Sequence, residues 1–232
     1  MTDDQERSIL RLCAADPNAV VVLQNGAPID MTAWIGQTKA VVESWYPGEQ
    51  GARALTEILF GITNPSGKLP ITIPQTVGQL PLFYAHKPSG RGYGYCDNDG
   101  KPRFPFGFGL SYTTFALTDA ALSVEEDGAA VSFRLTNTGG RDGAEVAQLY
   151  LASHDCAVVR PVKELKAYAR VALRAGETKD VTLRLSKDAF CYYDESMRYG
   201  LHDGEHTLLL GTSSEDICAR FELTVQNGLF SI

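Results

Sequence analysis

Two short apolar runs near the start of the chain most constrain its fold. They are "AVVVLQNG" (residues 19–26) and "KAVVESWYPG" (residues 39–48), and each ends in a turn signal. Such runs are typical of strands buried on both faces, as in a parallel sheet. Two strands cannot form such a sheet alone, because their apolar faces need neighbouring strands. The sequence therefore predicts the last part of a larger α/β layer whose other strands lie upstream of residue 1.

One helix is predicted before the first of these strands in the sequence, and another after the second. Thr2 and Gln5 fit a capping box, which predicts a helix that starts there and ends before Pro17. Ile9, Leu12 and Cys13 follow at helical spacing. A second helix is predicted in "EQGARALTEILFG", with Gly61 as its stop signal. The apolar face of this second helix is predicted to consist of Ala52, Leu55 and Leu59.

The stretch between residues 68 and 115 is predicted to be largely irregular. "KLPITIP" (residues 68–74) predicts one short strand, which its prolines restrict to a sheet edge. Residues 75–115 are rich in Gly, Pro and aromatic side chains, which predicts an irregular segment packed onto domain surfaces. "DNDG" (residues 97–100) predicts a turn, and it lacks the later ligands of a calcium loop. The aromatic residues expected to be buried are Phe83, Tyr84, Tyr93, Tyr95, Phe104, Phe106, Phe108, Tyr112 and Phe115.

From about Phe115 the apolar residues recur at every second position. Alternation of this kind, with turn signals such as "NTGGRDG" and "HDGE" between the segments, predicts an antiparallel β-sandwich of the immunoglobulin type. The fold class is thus α/β plus all-β, with a partial parallel α/β-sandwich at 1–74, a connector at 75–115 and a β-sandwich at 116–232. The alternating sets are Val131, Phe133 and Leu135; Val181, Leu183 and Leu185; Leu208 and Leu210; and Phe221, Leu223 and Val225.

Charge and composition exclude some classes of partner. The net charge of −7 argues against nucleic acid or an anionic membrane as partner. No apolar run reaches the roughly 18–20 residues of a membrane-spanning helix. The N-terminus is acidic and polar, unlike a signal peptide, and the five cysteines are scattered, so we expect reduced thiols and a cytoplasmic location. A chain cut from a longer one would have lost its signal.

No cofactor or metal is predicted. No GxGxxG follows either apolar run, which argues against a dinucleotide-binding protein. His202 and His206 lie four residues apart, but a turn separates them and a zinc site needs more ligands. Ser111 lacks the sequence context of a nucleophile.

Several long motifs, in order, resemble glycoside hydrolase family 3 and in particular its β-glucosidases. "NAVVVLQNGAPIDM", "SWYPGEQGARALTEILFGITNPSGKLPITIP" and "FPFGFGLSYTTF" resemble the second, α/β-sandwich domain of that family. "LTNTGGRDGAEVAQLYLASHDC" and the residues after it resemble the third, fibronectin type III-like domain. The resemblance covers nearly the whole chain, which is identified as the C-terminal part of such an enzyme.

The resemblance implies a retaining glycosidase whose catalytic residues lie elsewhere. Such enzymes need two carboxyl groups about 5–5.5 Å apart. In the family the nucleophilic Asp lies on a TIM barrel of roughly 250 residues, N-terminal to everything seen here. The acid/base Glu of many members lies shortly before the segment matched by "MTDDQ". We therefore expect no catalytic residue in this chain, and a β-linked glucoside or oligosaccharide as substrate only with the missing domains.

Four residues are candidates for contact with substrate. Glu49 follows a buried strand at a helix start, where ligand sites gather in open α/β sheets. Alternatively, Glu49 only favours the helix N-terminus, and the family usually has Gln and Glu in the opposite order there. Lys87, Arg91 and Tyr93 lie in "HKPSGRGY", where Arg and Tyr can hydrogen-bond sugar hydroxyls and an aromatic face can stack on a sugar ring. Alternatively, this loop packs against another domain.

Three functional hypotheses follow. The first is a truncated glycosidase, inactive alone, with exposed apolar strand edges and a tendency to self-associate. The second is one half of a split enzyme whose partner chain carries the barrel and the acid/base. The third is a non-catalytic carbohydrate-binding or interaction module that reuses the sandwich.

Overall fold

The computed structural model describes residues 1–89, 94 and 96–232, and these form two compact units. Unit 1 comprises Met1–Thr63, Ile71–Leu82 and the described part of 93–104. Unit 2 comprises Asn64–Pro70, the described part of 83–92, and Pro105–Ile232. The predicted fold class, a partial α/β layer plus a β-sandwich, is confirmed. Because each unit draws on several stretches of chain, the linear boundaries at residues 74 and 115 stay predictions.

Unit 1 has the predicted helix and strand order. Its elements are α1 (Asp3–Ala15), β1 (Val20–Leu23), the 3-10 helix Ile35–Gln37, β2 (Ala40–Glu43) and α2 (Gly51–Leu59). The capping box at the start of α1 is confirmed, since Gln5 N donates to Thr2 Oγ1 and Thr2 N donates to Gln5 Oε1. β1 and β2 pair in parallel, with Val20 opposite Ala40 and Leu23 opposite Glu43. The chain leaves α2 through Gly61 in the left-handed region, as its stop signal predicts.

Several apolar side chains of unit 1 are exposed. Leu12 of α1 is 66% exposed, Leu59 of α2 is 47% exposed and Val20 of β1 is 44% exposed. The helical faces predicted from spacing are therefore only partly covered within the unit, and Ala52 is also exposed. A sheet of two parallel strands offers too little surface to cover them. The residues of unit 1 that do form a buried apolar set are Cys13, Leu23, Met31, Trp34 and Ile73.

The strand predicted at residues 68–74 is wrong. Ile73 makes only an isolated antiparallel bridge to Phe104, with its N–H donating to the Phe104 carbonyl at 2.9 Å. Pro70 and Pro74 have no backbone N–H, so a continuous ladder through this segment cannot form.

The aromatic segment is only partly buried. Tyr84 of unit 2 stacks on Phe106, with ring centroids 4.1 Å apart, and meets the edge of Tyr150 at 5.8 Å. Phe83 and Tyr112 are 53% and 42% exposed, so the prediction of burial is wrong for both. Residues of an irregular segment follow no fixed period, so aromatic composition alone does not bring every ring to one buried face. Tyr93 and Tyr95, which were expected to be buried, lie outside the described residues.

The turn at residues 97–100 is confirmed in unit 1. The side chain of Asn98 accepts the N–H of Gly100 at 2.7 Å, and Gly100 has a φ of +76°. The side chain of Gln79, which is buried, donates to Asn98 and to the Lys101 carbonyl and so fixes this turn. These side-chain bonds to backbone are the ordinary chemistry of Asn and Asp in turns.

Unit 2 contains the predicted antiparallel sandwich. One sheet has five strands in the order β12-β11-β10-β5-β6, and the other has three in the order β3-β4-β7. A separate two-stranded hairpin is formed by β8 and β9. The strands are β3 (Phe115–Glu125), β4 (Gly128–Asn137), β5 (Gly143–His154), β6 (Glu164–Leu173), β7 (Thr178–Ser186), β8 (Tyr192–Tyr193), β9 (Tyr199–Gly200), β10 (Gly204–Gly211), β11 (Ile217–Gln226) and β12 (Leu229–Ser231).

The core of the sandwich lies between the two sheets. The alternation predicted for β4 is confirmed, because Val131, Phe133 and Leu135 are buried while Ser132 and Arg134 are exposed. The facing sheet supplies inward side chains at the same period. The core residues contributed by that sheet include Ala147, Leu149, Leu151, Leu173, Leu208, Leu210 and Leu223.

Side chains of the motif "NPSGKLP" (residues 64–70) bond to distant residues of unit 2. The side chain of Asn64 accepts the Ser111 hydroxyl and the Tyr112 N–H, each at 2.8 Å, and donates to the Asp142 carbonyl at 2.9 Å. Nearby, Lys68 Nζ lies 2.7 Å from Glu145 Oε1. Residues distant in sequence are therefore joined by side-chain bonds rather than by regular secondary structure.

Replacing Asn64 with alanine is expected to lower the free energy of unfolding of unit 2 by about 1–3 kcal/mol. The change removes three hydrogen bonds and leaves the Ser111 hydroxyl, the Tyr112 N–H and the Asp142 carbonyl without their Asn64 partner. Urea unfolding followed by far-UV circular dichroism measures the effect. The control Gln226→Ala, at an exposed amide on β11, should change stability by no more than about 0.5 kcal/mol. Equal effects of the two changes would contradict a clamping role for Asn64.

Candidate functional site

The carboxyl ends of β1 and β2 form the candidate site of unit 1. Because the two strands run parallel, the residues that follow Leu23 and Glu43 emerge at the same edge. Open α/β sheets bind ligands at this edge. Ser44 joins the two strand ends at this edge, since both its N–H and its hydroxyl donate to the Leu23 carbonyl, at 3.0 and 2.6 Å.

Glu43 is a half-buried carboxyl at the end of β2. Burial raises the pKa of Glu43, and hydrogen bonds from the Trp45 N–H, the Asn25 side chain and the Ser44 N–H act against the rise. The bond from Trp45 N to Glu43 Oε1 is 3.0 Å long. Trp45 has a φ of +49°, an unusual conformation for a bulky residue. A carboxyl so placed can accept or donate a hydrogen bond to a polar ligand.

Asn25 and Gly26 complete the edge after β1. Asn25 Nδ2 donates to the Ala27 carbonyl at 2.5 Å, whereas its buried Oδ1 has no hydrogen-bond partner among the described residues. A Cβ on Gly26 would lie 2.5 Å from the Tyr46 hydroxyl, so a side chain there would displace the exposed Tyr46 ring. The edge therefore presents one carboxyl and one buried acceptor next to an exposed tyrosine.

Glu49 lies in an exposed turn just before α2, whose N-cap is Gln50. It comes shortly after Glu43 in sequence, as its predicted position beyond a strand end requires. No ion pair joins Glu49 to another of the described residues, so its surroundings do not decide between substrate contact and a favourable charge at the helix start. Its role in substrate contact stays a prediction.

The described part of the predicted sugar-contact loop belongs to unit 2. Lys87 is exposed, and its carbonyl lies 3.1 Å from His86 Nδ1. The loop base is anchored, because Val162 N donates to the His86 carbonyl at 2.9 Å and Leu165 N donates to the Tyr84 hydroxyl at 3.2 Å. Arg91 and Tyr93 lie outside the described residues, so their proposed contacts with sugar stay predictions.

Sequence reasoning missed Glu43 and Asn25. A signal for both was present, since each is a polar residue at the end of an apolar run predicted to be a parallel strand. Ser111, which the sequence already argued against as a nucleophile, donates its hydroxyl to Asn64. Among the residues that the structure describes, no group of three His, Cys, Asp or Glu side chains is placed to hold a metal ion.

Comparison with protein families identifies both parts of the chain. Residues 1–112 match the glycosyl hydrolase family 3 C-terminal domain, and residues 145–214 match the fibronectin type III-like domain. The two models agree in order with the α/β elements and the sandwich. The chain belongs to glycoside hydrolase family 3. The resemblance drawn from the motifs is thereby confirmed.

Curated relatives of this family 3 chain are longer proteins. The periplasmic β-glucosidase of Salmonella typhimurium is 38% identical in an alignment 224 residues long that covers 90% of this chain and 29% of that protein. An exo-α-(1→6)-L-arabinopyranosidase of Bifidobacterium breve is 39% identical in an alignment 220 residues long that covers 89% of this chain and 29% of that protein. The chain thus spans about 30% of the length of these relatives.

Solved structures agree with this family 3 fold. The β-glucosidase of Listeria innocua in complex with glucose matches with a TM-score of 0.90 at 35% identity, covering 97% of this chain and 33% of that one. The β-D-glucoside glucohydrolase of Trichoderma reesei matches with a TM-score of 0.80 at 26% identity. None of the helices that the structure describes has the length and apolar character needed to cross a membrane.

Proposed function

We propose that residues 1–232 form the non-catalytic C-terminal part of a retaining β-glucosidase-type hydrolase that acts on β-linked glucosides or oligosaccharides. One observation supports this most strongly. The chain aligns over about nine-tenths of its length with relatives named β-glucosidases, yet spans less than a third of them. The presence of an arabinopyranosidase among the relatives leaves the sugar open.

The chemistry of a retaining glycosidase supports a non-catalytic role for this chain. Two carboxyl groups about 5–5.5 Å apart must act as nucleophile and acid/base. By resemblance to the family, the nucleophile belongs on a TIM barrel of roughly 250 residues, either on the same polypeptide or on a partner chain. Glu43 and Glu49, with Lys87, Arg91 and Tyr93, are then proposed to contact substrate rather than to carry out catalysis.

The exposed apolar surface of unit 1 favours association with further α/β structure. Phe60 is 80% exposed and Ile62 is 73% exposed at the end of α2, in addition to Leu12 and Val20. Both outer edges of the β1–β2 pair are free of strand partners in the described part of the chain. Unpaired edges and exposed apolar side chains promote pairing with another chain. A barrel-bearing partner and a second copy of this chain are the two candidate partners.

Hydrolysis of an aryl β-glucoside tests the proposal. We expect no turnover by the purified chain alone. We expect turnover when it is mixed with a polypeptide that carries the barrel and the acid/base loop, such as the product of an adjacent upstream reading frame. Turnover by the chain alone would overturn the proposal, because it would require a catalytic pair within these 232 residues.

Two variants test whether the exposed surface of unit 1 mediates this association. Phe60→Asp should reduce the restored activity at least tenfold. The control Arg53→Asp, on the same helix and also exposed, should leave it within about twofold. Equal activity of the two variants would contradict the proposed surface.

A cytoplasmic location is part of the proposal, supported by the five scattered cysteines. The Salmonella relative is named periplasmic. Fractionation of cells that express the natural gene decides between the two, and recovery from the periplasm would overturn this part of the proposal.

A further inference from the structure

The hairpin of β8 and β9 carries two exposed tyrosines on its outer face. Tyr193 lies directly opposite Tyr199, and Tyr192 lies opposite Gly200. Opposite residues of an antiparallel pair share one face, and successive residues alternate between faces. Tyr192 is buried, so Tyr193 and Tyr199 face outward, and they are 57% and 52% exposed.

Hydrogen bonds hold this hairpin in one shape. The carboxylate of Asp194 accepts the N–H groups of Ser196 and Arg198, each at 2.9 Å, and also the side chain of Arg198. The N–H of Arg198 leads the interactions that keep the pKa of Asp194 below its usual range. The Tyr199 hydroxyl donates to Asp188 Oδ1 at 2.8 Å, which fixes the ring. Rings that are already ordered lose little conformational entropy when a ligand binds.

The geometry of the two rings limits the ligand that fits. Their centroids are 5.1 Å apart, and their planes are inclined by 51°. An inclined pair cannot lie flat on a planar crystalline surface, but it can receive a chain that twists. Asp188, which accepts the Tyr199 hydroxyl, places a carboxylate able to hydrogen-bond sugar hydroxyls at the edge of this pair of rings.

We propose that Tyr193 and Tyr199 form a binding platform for a single soluble β-glucan chain. The apolar face of a pyranose ring stacks on an aromatic ring, and its hydroxyls hydrogen-bond to polar groups at the ring edges. The choice of a β-glucan rests on the proposed function, because a β-glucan is a polymer of the β-linked glucose units on which that hydrolase is proposed to act. The platform needs no catalytic group, and it gives unit 2 a role in holding polymeric substrate.

Affinity electrophoresis of the whole chain in native gels that contain laminarin, a soluble β-1,3-glucan, tests the platform. We expect laminarin to retard the chain and the double variant Tyr193→Ala/Tyr199→Ala to show at least a tenfold weaker retardation constant. Tyr199→Phe keeps the ring and should remain retarded. The control Tyr168→Ala, at a tyrosine of β6 that is 68% exposed, should behave like the parent chain.

Three results would overturn the platform. They are a lack of retardation of the parent chain, equal retardation of the double variant with an unchanged circular dichroism spectrum, and tight binding to microcrystalline cellulose. Sedimentation velocity can give a fourth such result. A dimer that the parent chain forms and the double variant does not form would assign the rings to contact between copies. Retardation of the chain by laminarin in the gel needs no turnover, so this test can fail or succeed independently of the hydrolysis experiment.

Discussion

Lys68→Met is expected to lower the free energy of unfolding of unit 2 by about 3–5 kcal/mol. Lys68 Nζ lies 2.7 Å from Glu145 Oε1 and donates to the Gly109 carbonyl at 3.1 Å. Only 13% and 11% of the two charged side chains are exposed. Without Lys68, the carboxylate of Glu145 remains buried with the Val146 N–H, at 2.6 Å, as its remaining described hydrogen-bond donor. A buried charge that has lost its partner is among the costliest defects in a folded protein.

Urea unfolding followed by far-UV circular dichroism measures this loss in the sandwich. Both tryptophans, Trp34 and Trp45, lie in unit 1, so tryptophan fluorescence followed in parallel reports the other unit. Recording both signals is needed because two units need not unfold together.

The control for Lys68 is Arg184→Met, which breaks the pair between Arg184 and Glu125. These side chains are 64% and 41% exposed, and exposed pairs contribute about 0–1 kcal/mol. The double variant Lys68→Met/Glu145→Leu should recover much of the loss, because apolar groups of similar size can replace a buried pair. A Lys68→Met effect as small as that of Arg184→Met would contradict the assigned role.

Unit 2 is expected to lose up to about 3 kcal/mol of stability as the pH falls from about 6.5 to about 4, through His206 alone. Burial lowers the pKa of His206 to about 4, and the charges of His154 and Arg160 add to the effect. Each pKa unit corresponds to about 1.4 kcal/mol. His206 Nδ1 lies 3.0 Å from the Ser153 hydroxyl, whereas Nε2 has no hydrogen-bond partner among the described residues. Protonation would therefore place a charge and an unpaired N–H beside Phe190 in the core.

The direction of the pH effect follows from the protons bound by each state. Below pH 6.5 the unfolded chain protonates its histidine while the folded chain does not, so acid favours unfolding. Above pH 6.5 both states are neutral at His206, and its contribution is constant. The full loss is reached once the pH falls to the folded pKa of about 4.

His206→Gln isolates this contribution, because carboxyl groups titrate in both proteins. The stability difference between the parent chain and this variant should shrink as the pH falls from 7.5 to 4.5 in urea unfolding. A difference that stays constant across this range would show that His206 is not held neutral by burial.

The motifs that carry the family resemblance act largely as structural clamps. Asn64 and Lys68 of "NPSGKLP" bind loops of unit 2, and in "FPFGFG" Gly107 approaches the side chain of Gln148. Gly107 has a φ of +81°, and a Cβ there would overlap Gln148 Oε1. Gln148 is buried and also donates to the Gly107 and Thr212 carbonyls. These residues hold the sandwich together and take no part in the proposed chemistry.

The sequence predicted where the candidate site lies but not which side chains form it. The apolar runs at residues 20–23 and 40–43 indicated parallel strands, and the rule for open α/β sheets pointed to their carboxyl ends. That rule drew attention to Glu49, which lies in an exposed turn, rather than to Glu43. The pKa of Glu43 is raised first by burial, and burial is set by tertiary packing that no local pattern encodes.

The sequence by itself determined the elements whose signals are local. The capping box at Thr2, the stop at Gly61 and the two-residue period of β4 act through neighbours within a few positions, and all appear as expected. The strand predicted at residues 68–74 is absent, because Pro70 and Pro74 offer no N–H groups to a continuous ladder. Only the tertiary structure decided the pairing of Lys68 with Glu145 and the burial of His206. Each of these depends on which distant segments remove a side chain from water, and no local pattern encodes that.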